Sequence, residues 1–201
     1  MEPTVKASAR HTIHVTADTW RIRLSASAHS HPNDAYARRA TAISAIGSVL
    51  IDVPLQGERI SESTAYDGQI NADWNAEVTG TDVNIARDII SRLAAVPDVQ
   101  VDGPLWSLSD SLAAEAAVEA LQGAADTARN TATAIAESLG GRLGALLYAT
   151  TDTHSSTPTP VRAEMMAAKA SIPPRTLDLE LAPSDIEVTK EIAVTFEFLA
   201  D

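Results

Sequence analysis

From Ser109 to Ala149 the chain reads SDSLAAEAAVEALQGAADTARNTATAIAESLGGRLGALLYA. Alanine, the strongest helix former, recurs through it and no proline interrupts, so the stretch predicts one helix of nearly thirty residues. Ser109 or Asp110 can cap its first amides, and Glu115 sits near the positive end of its dipole. Gly140 can take the left-handed conformation that stops a helix, and a strand from Leu143 to Thr150 follows. Ala117, Leu121, Ala124, Ala128, Ala132, Ile135 and Leu139 succeed one another at intervals of three or four, which puts them on one narrow face. Side chains this small let a partner backbone come close, so dispersion contacts accumulate along a line. A helix of this length spans about 40 Å. Two readings follow: the whole face lies on the chain's own sheet, or part of it meets another subunit.

Upstream, Trp20, Ile22, Leu24, Ala26 and Ala28 alternate with Arg21, Arg23, Ser25 and Ser27, the period of a strand with one wet face. Thr12 to Thr16 gives a shorter, weaker strand signal. His31-Pro32-Asn33-Asp34 interrupts the strand and offers a cap for a helix to about Leu50, with Tyr36, Ala40, Ile43, Ile46, Gly47 and Leu50 on one side. Tyr66-Asp67-Gly68-Gln69 then sets an Asp-Gly turn between two alternating runs, so Ile60 to Tyr66 and Ile70 to Val78 are expected to pair antiparallel. Ile70, Ala72, Trp74, Ala76 and Val78 share one face of the second run. Thr81 or Asp82 caps a helix carrying Val83, Ala86, Ile89, Ile90 and Leu93, which Pro97 ends, and Val99, Val101, Gly103 and Leu105 make the next strand.

Residues 20 to 106 therefore run strand, helix, strand, strand, helix, strand. That is the order of a ferredoxin-like unit, an α+β arrangement with two helices on one face of an antiparallel sheet, here extended by the long helix and further strands. Residues 151 to 176, with Ser155-Ser156-Thr157-Pro158-Thr159-Pro160, Met165-Met166 and Pro173-Pro174, bury too little to offset their ordering entropy and predict a mobile loop. Met165-Met166 reads as loop filler or as an adaptable docking patch. Ile186, Val188, Ile192, Val194, Phe196 and Phe198 then alternate with polar residues in the clearest strand of the chain. Its acidic outer face is expected to discourage edge pairing. The expected organisation is one domain over residues 1–201, with a lobe at 10–106 and a lobe at 107–201.

The chain of 201 residues carries a formal charge of −12, which opposes nucleic acid and anionic lipid as partners. Arg21/Arg23 and Arg38/Arg39 are too small as basic clusters to change this and read as solvated faces. Without cysteine there is no disulfide, thiolate metal site or cysteine nucleophile. Met1-Glu2-Pro3-Thr4-Val5-Lys6 leads into no export-type apolar run, and no segment reaches the roughly 20 apolar residues of a membrane span, so a cytoplasmic location without membrane insertion is expected.

Three places resemble the SIMPL family, a largely uncharacterised group of bacterial proteins with a eukaryotic namesake. Leu105-Trp106-Ser107-Leu108-Ser109-Asp110 resembles its strand-to-helix junction. Glu115-Ala116, Ala120, Ala124, Ala128, Ala132, Ile135-Ala136, Leu139-Gly140 and Leu143-Gly144 match its alanine-spaced helix and glycine-punctuated exit. Leu181-Ala182-Pro183, leading to Ile186, Val188, Val194 and Phe196, resembles its closing strand. These are packing motifs, and the element order fits from about residue 10 to the end. Departures are Ala17-Asp18 where the family often has Pro-Asp, Ser184 for a frequent glycine, and the lack of a tyrosine-containing insertion in the first hairpin. The resemblance implies an α+β domain without established enzymatic activity, higher oligomers in some exported relatives, and adaptor-like binding for the eukaryotic namesake.

No convergent chemistry stands out from the residues. His29 and His31 with Asp34, joined in principle by His11 and His14, have the types but not the arrangement of a zinc site, since the pair precedes Pro32 in a turn. No serine lies in a nucleophile elbow. Asp98/Asp102 and Glu115/Glu119 are carboxylate pairs of the kind an acidic chain contains by chance. Gly140-Gly141 and Gly144 follow a helix, whose carbonyl end repels an anion. No catalytic, cofactor-binding or metal residue is therefore assigned, and no cofactor. The expected function is non-catalytic, through self-association or a protein partner. The alternative is a small-molecule-binding or hydrolytic site between the lobes, lined by Trp20, Trp74, Trp106 and Tyr148.

Overall fold

The computed structural model describes residues 3–51, 53–65, 68–151 and 181–200. In chain order the elements are β1 (Thr4–Thr16), β2 (Thr19–Ser30), α1 (Pro32–Val49), β3 (Gln56–Thr64), β4 (Ile70–Gly80), α2 (Val83–Leu93), β5 (Val99–Ser107), α3 (Asp110–Ser138), β6 (Gly141–Thr151) and β7 (Asp185–Ala200). The chain is α+β, with two antiparallel sheets in two compact units. The loop expected at 151–176, with Met165-Met166, falls outside the described residues except for Thr151, which ends β6.

The unit containing residues 17–107 is the ferredoxin-like one. Its four strands lie in the order β3-β4-β2-β5, every neighbour antiparallel, with α1 and α2 on one face. The two central strands carry the cleanest alternation because their inner faces have no solvent at either side. Trp20, Ile22, Leu24 and Ala26 of β2 and Trp74, Ala76 and Val78 of β4 are buried beneath Ala42 and Ile46 of α1 and Ala86, Ile89 and Leu93 of α2. Size is complementary across strands: Ala26 faces Trp74, and Trp20 faces Gly80. A Cβ added at Gly80 would lie 2.9 Å from Cε2 of Trp20, so glycine makes the space that the indole fills. The Trp20 Nε1–H donates to the Asp82 carbonyl at 3.0 Å, which satisfies its one polar atom.

Local signals account for the ends. Pro32 opens α1 behind His31, whose side chain makes no cap hydrogen bond. Asp82 caps α2 by accepting from the Asn84 N–H at 2.8 Å. The hairpin strands pair as expected, Thr64 opposite Ile70, with Gly68 at φ +79°. Residues 66 and 67 of the turn lie outside the described residues.

Two expected faces need correction. On the side of α1 assigned to the sheet, Ile46 and Leu50 are buried and Ile43 packs against them, but Tyr36, Ala40 and Gly47 are exposed, and Ala35 and Ala42 are buried in their place. On β5, Val101 faces Leu24, but a register shift opposite Arg21/Arg23 then reverses the phase, so Leu105 faces Arg21 and Trp106 faces Trp20. Gly103 occupies this bulge at φ +125°, where a Cβ would stand 2.8 Å from the Arg21 carbonyl oxygen. The extra residue turns Trp106 onto the core and leaves Leu105 39% exposed.

In the other unit, β1, β7 and β6 form a three-stranded sheet in that order, with α3 across one face. β1 runs the full Thr4–Thr16, far beyond the weak signal at its end, because it pairs along its whole length with β7. β7 is central. Its acidic outer residues therefore lie on a sheet face and not along an edge, which corrects the edge-protection reading; Glu191 there pairs with Arg10 at 2.8 Å.

The residues of α3 that are buried are Ala116, Ala120, Ala124, Ala128, Ala132 and Ala136, one every four positions. This replaces the face read from mixed spacings of three and four. Of that set Ala124, Ala128 and Ala132 are correct, Ala117 and Leu121 are partly buried, and Ile135 and Leu139 are exposed. A row at i, i+4 is inclined to the helix axis and winds slowly around it, so it stays in register with a sheet that twists. Methyl groups on the helix meet Val5, Ile192, Val194 and Phe196 on the sheet. Ser109 caps the helix, its Oγ accepting from the Leu112 N–H at 3.4 Å, and Gly140, at φ +76°, ends it.

Candidate functional site

Each candidate side chain can now be placed. His29 stands on the outer face of β2, its Nδ1 2.7 Å from Asn71 Oδ1, and Asn71 donates from Nδ2 to Ser63 Oγ at 3.2 Å. His31 is the residue before α1, and Asp34 lies in that helix's first turn. His14 faces Glu187 across β1 and β7; His11 lies over the middle of α3, where a Cβ at Gly123 would stand 2.7 Å from its ring atoms Cγ and Nε2. Among the described residues no three His, Asp or Glu side chains come together as a metal-holding group.

Asp98 and Asp102 do not act together. Asp102 faces Arg23 on β5. Asp98, at φ +62° in the turn after α2, receives a two-pronged hydrogen bond from Arg38 of α1, Nε to Oδ2 at 2.9 Å, while its carbonyl accepts from the Ser27 N–H at 3.0 Å. The Arg38 hydrogen bond holds the Asp98 carboxyl below its ordinary range, against a smaller opposing effect of burial, and Arg38 is raised in turn. Beside it, Tyr36 donates to Glu62 at 3.2 Å, Arg39 reaches the same carboxylate at 3.2 Å, and the Arg39 guanidinium stacks 5.3 Å from the Tyr36 ring centre. Partial burial first, then Glu62, push the Tyr36 hydroxyl up. These contacts tie α1 to β3, through Glu62, and to the turn before β5, through Asp98. Arg21 and Arg23 share Glu77. Glu115 and Glu119 are exposed.

Gly141 and Gly144 after α3 are packing positions. A Cβ at Gly141 would stand 2.6 Å from the Phe198 ring, and one at Gly144 2.7 Å from Glu197 Oε2. Trp20 and Trp74 are enclosed in the core of their own sheet, Trp106 packs on that core, and Tyr148 is exposed on β6. Among the described residues no polar side chain is fully buried. Among the described residues, too, no side-chain nitrogen or oxygen is left enclosed without a partner.

What remains unusual is β6. Its pairing with β7 slips twice, between Leu143 and Leu146 and between Leu146 and Tyr148. Leu146, Leu147 and Tyr148 are all more than half exposed, at 55%, 52% and 63%. On the sheet face turned away from α3, Tyr148, Thr195 and Lys6 form one cross-strand row and Thr150, Ala193 and Ser8 the next, bordering a shallow open hollow. The strand expected from Leu143 to Thr150 is present here, as Gly141–Thr151.

The family model for SIMPL, described as protein of unknown function, matches residues 5–196. The chain belongs to the SIMPL family. The match takes in both sheets and all three helices, so in this SIMPL protein the alanine ladder and the ferredoxin-like unit both lie inside the family's span. No curated protein matches the chain. Among the described residues of this SIMPL chain, no helix is long and apolar enough to cross a membrane.

Proposed function

We propose that this SIMPL protein is non-catalytic and acts by association, with itself or with a protein partner. One observation carries the reading: three consecutive large side chains, Leu146, Leu147 and Tyr148, are exposed on an outer strand of the three-stranded sheet. Isolated exposed apolar residues are ordinary, whereas contiguous ones on a strand edge mark contact surfaces. The ligand-pocket alternative has lost Trp20 and Trp74, which are enclosed in the core of their own sheet.

Light scattering over a wide concentration range tests the self-association part, with a mass above one chain expected; a strict monomer at the highest concentration removes it. Hydrolysis of a chromogenic ester, abolished by a single point substitution, would overturn the non-catalytic part. A cytoplasmic location belongs to the same proposal and is checked by fractionating the native cell.

A further inference from the structure

The strand edges of this protein differ in one respect. β1 carries Lys6, Arg10, His11 and His14, β3 carries Glu58, Arg59 and Glu62, and β5 carries Asp102. Charges of this kind blunt a sheet edge. From Leu143 to Thr151, β6 has no Asp, Glu, Lys, Arg or His. Among the described residues nothing pairs with the side of β6 that faces away from β7.

We propose that this edge is where two copies of the chain meet, β6 antiparallel to β6 about a two-fold axis near Leu147. The inference rests on the association reading above and names its partner and surface. Two arguments select a second copy. First, at a net charge of −12 two copies repel over most of their surface, and an edge free of charge is where that repulsion costs least. Second, a two-fold contact places the same patch on both sides, so it must be self-complementary. Here Leu146, Leu147 and Tyr148 meet Leu146, Leu147 and Tyr148. The single charge of the strand, Arg142 at its start, goes to opposite ends of the pair and never faces itself. About this axis Tyr148 to Thr151 of one copy, which run in regular register with β7, lie opposite Leu143 to Leu146 of the other.

The test uses the whole chain. Light scattering is expected to give twice the 21.2 kDa chain mass, and a Leu147→Lys/Tyr148→Lys double variant to raise the dissociation constant at least about tenfold, as loss of central contacts does. Added salt is expected to tighten the wild-type dimer, because screening weakens the repulsion between two acidic copies. A second readout does not depend on how the double variant folds. The chain lacks cysteine, so Leu147→Cys near the two-fold axis should oxidise to a disulfide-linked dimer at least about tenfold faster than Ile51→Cys, a residue 79% exposed in the other unit. An oligomer that the double variant leaves intact and that shows no preference for Leu147→Cys overturns the β6 surface and leaves association standing. A wild-type monomer overturns both the surface and self-association.

Discussion

His11 of β1 occupies the notch that Gly123 leaves in α3: a Cβ at residue 123 would stand 2.7 Å from the ring carbons and nitrogen, closer than real side chains approach. The two residues are partly buried and lie on facing elements of the same unit. Glycine within a helix costs roughly 1 kcal/mol against alanine. Gly123→Ala is nevertheless expected to destabilise the protein, by about 1–3 kcal/mol, since the ring must leave its position. In urea melts the loss should vanish in a His11→Ala background, where the helix gain alone remains. Additive single and double variants would show that the ring does not depend on the notch.

The alanine ladder makes a positional prediction. Ala128→Leu places three extra carbons between α3 and Val194/Phe196 and is expected to cost at least about 1–3 kcal/mol. Ala134→Leu, on the exposed side, should stay within about 0.5 kcal/mol. Thermal denaturation of the two variants reads the difference. Equal effects would mean that the buried row is not the one every four residues.

At Gly103, φ of +125° and the nearby Arg21 carbonyl leave no room for a side chain. Gly103→Ala is expected to cost about 1–3 kcal/mol, the scale of one strained backbone position. Near-ultraviolet circular dichroism should change with it, because the bulge aims Trp106 at Trp20. A variant with wild-type stability and spectrum would remove the strain argument.

The Arg38–Asp98 pair gives a pH dependence. Asp98 has its folded carboxyl below the ordinary value, chiefly through the Arg38 hydrogen bond. Its contribution is then complete above the ordinary aspartate range and disappears as pH falls through the lowered folded value. Asp98→Asn keeps a residue type tolerant of positive φ and removes the charge. The variant should melt lower than wild type near neutrality, with the gap closing under acid. A gap independent of pH would mean that the pair contributes nothing through its charge.

Much of the ferredoxin-like sheet was legible because β2 and β4 are central: with both neighbours paired, every second residue must be apolar, and Ile70 through Val78 show it without exception. The existence and ends of α3 were legible for a similar local reason, Ser109 and Gly140 marking them. Its buried face was not. Alanine stands at 116 and at 117 alike, so composition cannot separate the two, and the choice is made by the sheet on which α3 packs. The reversal at Gly103 has no local signature because a bulge is a relation between two strands. Arg38 and Asp98 are 60 residues apart, and nothing local in either marks the other. On β6 the strand itself was legible, but its slips against β7 are again a relation between two strands.

Six alanines at equal intervals make a scale whose divisions are all alike. Advancing the helix by one division, a screw of four residues and about 6 Å, would set most of its methyls back into equivalent seats. Such a scale holds the rod tightly and says nothing about its setting. The index mark is the single gap at residue 123, which accepts one imidazole and repeats nowhere else along the helix.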